Sequence, residues 1–374
     1  MSQKKPWAVL LCKFSDDRRG FVAVNRPNVD TMFTANDVEN VPTFWQDVSY
    51  GELDLRGSQT FGWLTLSQKQ TDYLGSGTVS EGRRALVDWA KAAAGAAGVD
   101  LSPFFGVAVF MSTRTDLWGS DNTVVCDVDS SLAQILQEYG HGYGLRHSRA
   151  VANPIDYANP FCIMSGMTFG DTDPTFTDRF GASGPLLCAP YVDAAGWLAP
   201  WRIARLEANG TRPALATLRL SPLGGLAPPN RQVAIFDLNT PFETTYYIEF
   251  RAGGWDRGMA QNQVVIHQRR PDGFAYFAGN IPTSIGSLGG VTLLPGRSWT
   301  DPQFDLSVRL SAVLDQGSTV EITVGAAAAV QALSLRGIAR TNLNLTGGLA
   351  VRTQVLQPTT AGSLRTSLLN LVHR

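Results

Sequence analysis

Apolar and polar positions alternate in three different ways along this chain. Residues 7–12 and 104–111 are unbroken apolar runs of the length of a strand buried on both faces. Between them, Val38, Val41, Phe44, Trp45 and Val48 recur near a helical period and predict a helix over 37–48. Residues 82–97, rich in Ala, Arg, Leu and Lys and followed by Gly98, predict a second helix with its stop. Residues 53–55 and 60–66 alternate as strands do, and 123–126 reads as another short strand. Residues 18–36 show no clear period and read as loop, and 177–197 should hold a short helix. From about Arg202 the pattern becomes short alternating runs separated by Gly and Pro. They fall at 216–220, 232–236, 245–250, 263–267, 307–313 and 319–324. This spacing predicts an antiparallel β-sandwich.

The densest candidate chemistry lies at 127–167. The chain holds four histidines, and two of them stand in Gln137-Glu138-Tyr139-Gly140-His141-Gly142-Tyr143-Gly144-Leu145-Arg146-His147. Asp129, Ser130 or Ser131 can cap a helix whose apolar positions Leu132, Ile135 and Leu136 turn inward. On it Gln137 and His141, four apart, share a face, with Glu138 beside them. Gly144 can take the positive φ that ends a helix sharply and so brings His147 back towards the same point. Three donors and a neighbouring carboxylate make the layout of a metal-dependent hydrolase site.

The order Q-E-Y-G-H-G-Y-G-L-R-H resembles the H-E-x-x-H-x-x-G-x-x-H signature of the metzincin zinc peptidases, with residues 156–165 as the Met-turn around Met164. Gln137 stands where that signature has His. The gametolysin-like peptidases of algal extracellular matrix carry the same Gln, so the chain resembles that subgroup and, more distantly, the immune inhibitor A type of secreted bacterial peptidase. The resemblance is strong from about Pro6 to Trp201, weaker to about Gly325 and absent beyond. It implies an α+β fold: a metzincin-like catalytic domain over 1–201, with a mixed twisted sheet and long helices, then the β-sandwich over 202–326. Residues 327–374 are expected as a β extension or a partly ordered basic tail.

The resemblance also implies roles. Gln137, His141 and His147 would hold the metal, Glu138 would be the general base, and Met164 an apolar floor beneath the ion. The residues at 118–120 would edge the cleft and pair with extended substrate. Zinc is the first expectation, because it accepts mixed nitrogen and oxygen donors, and Cu2+ the second, as head of the affinity order for nitrogen-rich sites. Gly166 stands where some metzincins have an oxyanion-stabilising Tyr. Tyr143 and Tyr157 are substitutes, although packing is the simpler role for each. Ca2+ at Gly170-Asp171-Thr172-Asp173 with Asp178 is a weaker expectation, since no twelve-residue loop pattern supports it.

Composition narrows the function classes. At 374 residues with 44% apolar and 10% aromatic residues, the chain can bury a large core. A formal net charge of −1 gives no reason to expect a nucleic-acid partner, and no apolar run reaches membrane-span length. The partner expected is a protein or peptide substrate, an extracellular glycoprotein by the resemblance, although no signal peptide is visible. Cys12, Cys126, Cys162 and Cys188 are compatible with two disulfides, and Cys162–Cys188 would tie the Met-turn to the segment after it. Buried free thiols account for them equally well. His267, in a strand-like run, reads as a satisfied sheet histidine, the segments around Glu249 and Asp256 as scaffold, and Trp197 and Trp201 as the seal between domains. Two function classes stand: a metalloendopeptidase, or an inactive pseudopeptidase that binds protein or glycan.

Overall fold

Five strands, ordered Gln59–Thr65, Trp7–Lys13, Gly106–Met111, Thr123–Asp127 and Trp118–Ser120, build the first sheet. The first four run parallel, and Trp118–Ser120 is an antiparallel edge. This is a computed structural model that describes residues 2–18, 26–36, 38–74, 79–165, 175–209, 212–237, 243–259, 262–278, 295–301 and 303–333. The apolar runs are explained by their two faces. Trp7, Val9 and Leu11 point into one core, Leu10 and Cys12 into another, so neither face can be polar. Helix Val79–Ala96 covers the second face through Leu86, Val87, Ala90 and Ala94.

On the first face lie helices Val41–Val48 and Leu132–Gly142. Asn40 caps the former, its side chain accepting from Thr43 N at 3.0 Å, which starts the helix four residues later than its period suggests. A further helix, Arg26–Thr34, replaces the loop expected over 18–36. It buries only Val29, Met32 and Phe33, too short an apolar stripe to stand out of a polar segment.

The second half builds two more sheets. Six strands run in the order Ile203–Arg205, Val233–Asp237, Thr245–Arg251, Gln263–Arg269, Ala275–Phe277 and Arg149–Ala150. Four antiparallel strands follow the order Ala216–Leu220, Thr319–Ala326, Leu306–Leu314 and Ser298–Asp301. Ala234, Phe236, Tyr246 and Ile248 of the six-stranded sheet share a core with Leu306, Val308, Ile322 and Val324 of the four-stranded one. The opposite side chains, Val233, Ile235 and Tyr247, enter the core that holds the Leu132–Gly142 helix. The six-stranded sheet is therefore buried on both faces, and the whole is a mixed α/β structure.

Two observations bear on the boundary expected at Trp201. Residues 1–331 form one compact unit, separate from 332–374, and the six-stranded sheet takes its last strand from Arg149–Ala150, in the first half of the chain. Trp197 is buried against Trp45, with ring centroids 6.2 Å apart, but Trp201 is 50% exposed, so only the first of the two seals anything. Residues 327–333 are helical, as the alanine run there favours; the rest of the expected tail, with His373, lies outside the described residues.

Candidate active site

Ser131 is the residue that starts the central helix. Its side chain accepts from Gln134 N, and Gln134 Oε1 accepts from Ser131 N at 2.8 Å, a reciprocal capping box. The helix ends as its glycines suggest. Gly144 has φ +85°, and Leu145 N donates back to Gly140 O at 2.9 Å, which turns the chain towards the helix it has just left.

That turn brings His147 onto His141. Their Nε2 atoms stand 2.9 Å apart, with the rings nearly perpendicular. Each Nδ1 is already committed. That of His141 lies 2.8 Å from Leu145 O, and that of His147 lies 3.3 Å from Asp156 Oδ2. Carbonyl and carboxylate oxygens only accept, so in the tautomer that these two contacts favour each Nδ1 carries the proton and each Nε2 presents a lone pair. Two lone pairs then face each other, an arrangement that a cation between them relieves. A proton is the poorer occupant at neutral pH, because burial pulls His141 down to about 4. Burial lowers His147 as well, against the pull of Asp156. Outer oxygen partners on metal-bound imidazoles are the usual way of fixing tautomer and ring angle.

Gln137 and Glu138 sit one turn earlier, both buried. Gln137 is hydrogen-bonded to the Tyr157 side chain, and the Tyr157 ring lies 4.0 Å from that of His147. Tyr157 thus joins the proposed first and third ligands, a placement that its positive φ of 67° supports and for which sequence reasoning favoured packing. Tyr143 does pack, against Trp7, Phe105 and Trp45, and accepts from Trp7 Nε1 at 3.0 Å. Burial pushes the Glu138 carboxyl up to about 8, with Arg83 acting against the shift. Glu138 and Gln137 open onto a cleft of about 610 Å³ whose walls include Arg114, Asp116, Asp129 and Tyr157.

Glycine sets the floor and the rim of this site. A Cβ on Gly140 would lie 2.4 Å from Met164 Sδ, so the fully buried Met164 presses directly on the helix between Gln137 and His141. A Cβ on Gly119 would lie 2.0 Å from Glu138 O, which seats the edge strand Trp118–Ser120 against the helix backbone. Ser148, given no role by sequence, is buried and shares a 2.8 Å contact with Ser165 at the end of the Met-turn.

The other candidate residues have simpler surroundings. Cys162 and Cys188 lie side by side, fully buried and hydrogen-bonded, but the four cysteines are free thiols and no disulfide ties the Met-turn. The calcium turn at 170–173 lies outside the described residues, and the Asp178 oxygens already accept from Phe180 N at 2.7 Å and Ser183 Oγ at 2.6 Å. His267 is fully buried, with Nδ1 2.6 Å from Glu249 Oε1 and Nε2 3.0 Å from Asn159 Nδ2. It is a sheet histidine, as its strand-like run suggests, paired with Glu249 by proximity although its Nδ1 makes no well-aligned hydrogen bond. Among the described residues no group of three His, Cys, Asp or Glu side chains is placed to hold a metal; the site at Gln137, His141 and His147 has two histidines and a carboxamide. No family model matches the chain, and no curated protein is significantly similar to it.

Proposed function

We propose that the chain is a metal-dependent endopeptidase of the gametolysin-like metzincin type, with 1–201 as the catalytic domain and the later strands as a β-sandwich accessory. The observation that carries this reading is the His141–His147 pair, its Nε2 atoms 2.9 Å apart and each Nδ1 facing an oxygen acceptor. The donor set fits zinc first and copper second: two neutral imidazoles and the Gln137 amide as a weaker oxygen donor. A bound zinc ion would supply a Lewis acid and a water of lowered pKa.

The rest is the work of the chain's own residues. Glu138, buried in the wall of the cleft, takes a proton as carboxylate and returns it to the departing amine. A cation nearby favours its ionised form and so opposes the burial that raises it. The edge strand Trp118–Ser120 offers backbone groups to a substrate in extended form, and Tyr157, which lines the same cleft as Glu138, is the phenol we assign to the developing oxyanion. The substrate class is protein.

One observation favours the second reading, a pseudopeptidase that binds without cutting: the Gln137 side chain is already engaged by Tyr157. Casein cleavage by the purified chain, with metal content measured alongside, separates the two. The endopeptidase reading requires cleavage that a chelator abolishes and that Glu138→Ala removes. Cleavage insensitive to chelator, or undiminished in the alanine variant, sinks it.

A further inference from the structure

Two arginines flank His147, and both reach into the six-stranded sheet. Arg149 Nε donates to Asp156 Oδ1 at 2.8 Å, while Asp156 Oδ2 holds His147 Nδ1. The other side of the Arg149 guanidinium lies 3.5 Å from the centroid of the Phe274 ring. Arg146 approaches the same ring at 5.1 Å and donates Nη1 to Asp272 O at 3.1 Å. Phe274 and Asp272 belong to the turn that joins strands Gln263–Arg269 and Ala275–Phe277.

The backbone around His147 is held by the same hairpin. Tyr276 and Phe277 pair in parallel with Arg149 and Ala150, and Val151 N donates to Phe277 O at 2.8 Å. Tyr191 OH donates to His147 O at 2.8 Å and accepts from Ala275 N at 3.3 Å. Ring and main chain of one histidine are thus fixed from a turn more than a hundred residues away.

We propose that this hairpin turn positions the third ligand, through the relay Phe274, Arg149, Asp156, His147. The proposal rests on the metal-site reading above and assigns Arg149 and Phe274 as positioning residues. The physical ground is that Asp156 is 43% exposed, and an ion pair so wet holds a ring poorly by itself. Stacking on Phe274 confines the guanidinium to the plane from which its Nε meets Oδ1, so less freedom is lost when the pair forms. Asp156, pinned on one oxygen, then presents the other to His147 in a single direction. Without Phe274 the arginine is held only by Asp156 and Tyr276, the carboxylate gains room to turn, and the His147 lone pair no longer stays aimed at His141.

The test uses the full chain and two readouts. Zinc affinity is measured by competition with a chromophoric chelator, and the His147 tautomer by imidazole nitrogen shifts in the metal-free protein. Phe274→Ala and Arg149→Lys are each expected to weaken zinc about 10-fold or more, the usual cost of losing an outer partner of a ligand. Phe274→Tyr, which keeps the ring, should bind as the unaltered chain does. In the metal-free state both weakening variants should lose the uniform Nδ1–H tautomer of His147. The relay is overturned if folded Phe274→Ala and Arg149→Lys keep both zinc affinity and tautomer. An unaltered chain that binds no zinc overturns the metal reading, and the tautomer result then judges the relay separately. Where one variant fails to fold, the other decides.

Discussion

Gly140 and Met164 touch so closely that the side chain of one occupies the space where the other would carry a Cβ, 2.4 Å from Sδ. Met164 is fully enclosed, so its thioether can yield only by shifting within the core. Gly140→Ala gains up to about 1 kcal/mol of helix propensity and incurs about 1–3 kcal/mol of overpacking, so the clash wins. Chemical denaturation should show net destabilisation of Gly140→Ala. Combining it with Met164→Ala should recover part of the loss, because the clash and the cavity cancel. Additive losses in the double variant would show that the two residues do not share one space.

Two groups of the candidate site give pH dependences of opposite sign. His141 is lowered to about 4 from its ordinary 6.5, chiefly by burial, so the unfolded chain binds its proton more tightly. Its contribution is complete above about 6.5 and is lost as pH falls towards 4. Glu138 is raised to about 8 from 4.5, again by burial, so here the folded chain binds the proton more tightly. Its contribution is complete below about 4.5 and is lost as pH climbs through 8. Stability of chelator-treated protein should therefore peak between these limits. Glu138→Gln should abolish the alkaline limb and exceed the unaltered chain at pH above 8 by an amount of order a few kcal/mol. An alkaline limb that persists unchanged in Glu138→Gln would mean that another group carries it.

How much of this arrangement could be read from the residues depends on the range of the interaction. The cap at Ser131, the stop at Gly144 and the spacing of Gln137, His141 and His147 are local, and local rules found them. The parallel pairing of Arg149–Ala150 with Ala275–Phe277 involves two residues on one side, too few to carry a period. Asp156 leaves no signal because its contacts with His147 and Arg149, nine and seven residues earlier, follow no regular period, and Arg149 leaves none because Phe274 is distant in sequence. Tyr157 offered a weak one, a tyrosine close after His147, but its positive φ appears only once the Met-turn is folded around it. Helix Arg26–Thr34 was hidden by the polar residues on both sides of its three buried contacts.

Arg251 links the two halves of the molecule in a different way. It is fully buried, pairs with Asp256 at 2.7 Å and Glu249 at 3.3 Å, and donates to Phe161 O at 2.8 Å, just before the Met-turn cysteine. Arg251→Met would leave two buried carboxylates without their cation, a loss of about 3–5 kcal/mol. Thermal or chemical denaturation should register it. The loosened Phe161 carbonyl should also make Met164 accessible to oxidation by peroxide, read by mass spectrometry. A variant as stable as the unaltered chain would show that the carboxylates find protons or other partners.

Gln137→His tests what the carboxamide is for. In the structure Gln137 is hydrogen-bonded to Tyr157, whose ring packs on His147, so under the proposed metal-site reading the amide both offers a donor and steadies the neighbour of His147. An imidazole in its place is the better zinc donor, and zinc affinity by chelator competition should rise. The same exchange removes the Gln137–Tyr157 bond, so Tyr157 loses the partner that holds its phenol over the cleft. If Tyr157 serves the oxyanion, turnover of casein should fall while metal binding tightens, and Tyr157→Phe alone should lower turnover with little change in zinc affinity. Tighter binding accompanied by faster cleavage would instead mark Gln137 as a weakened ligand and free Tyr157 from any part in the reaction.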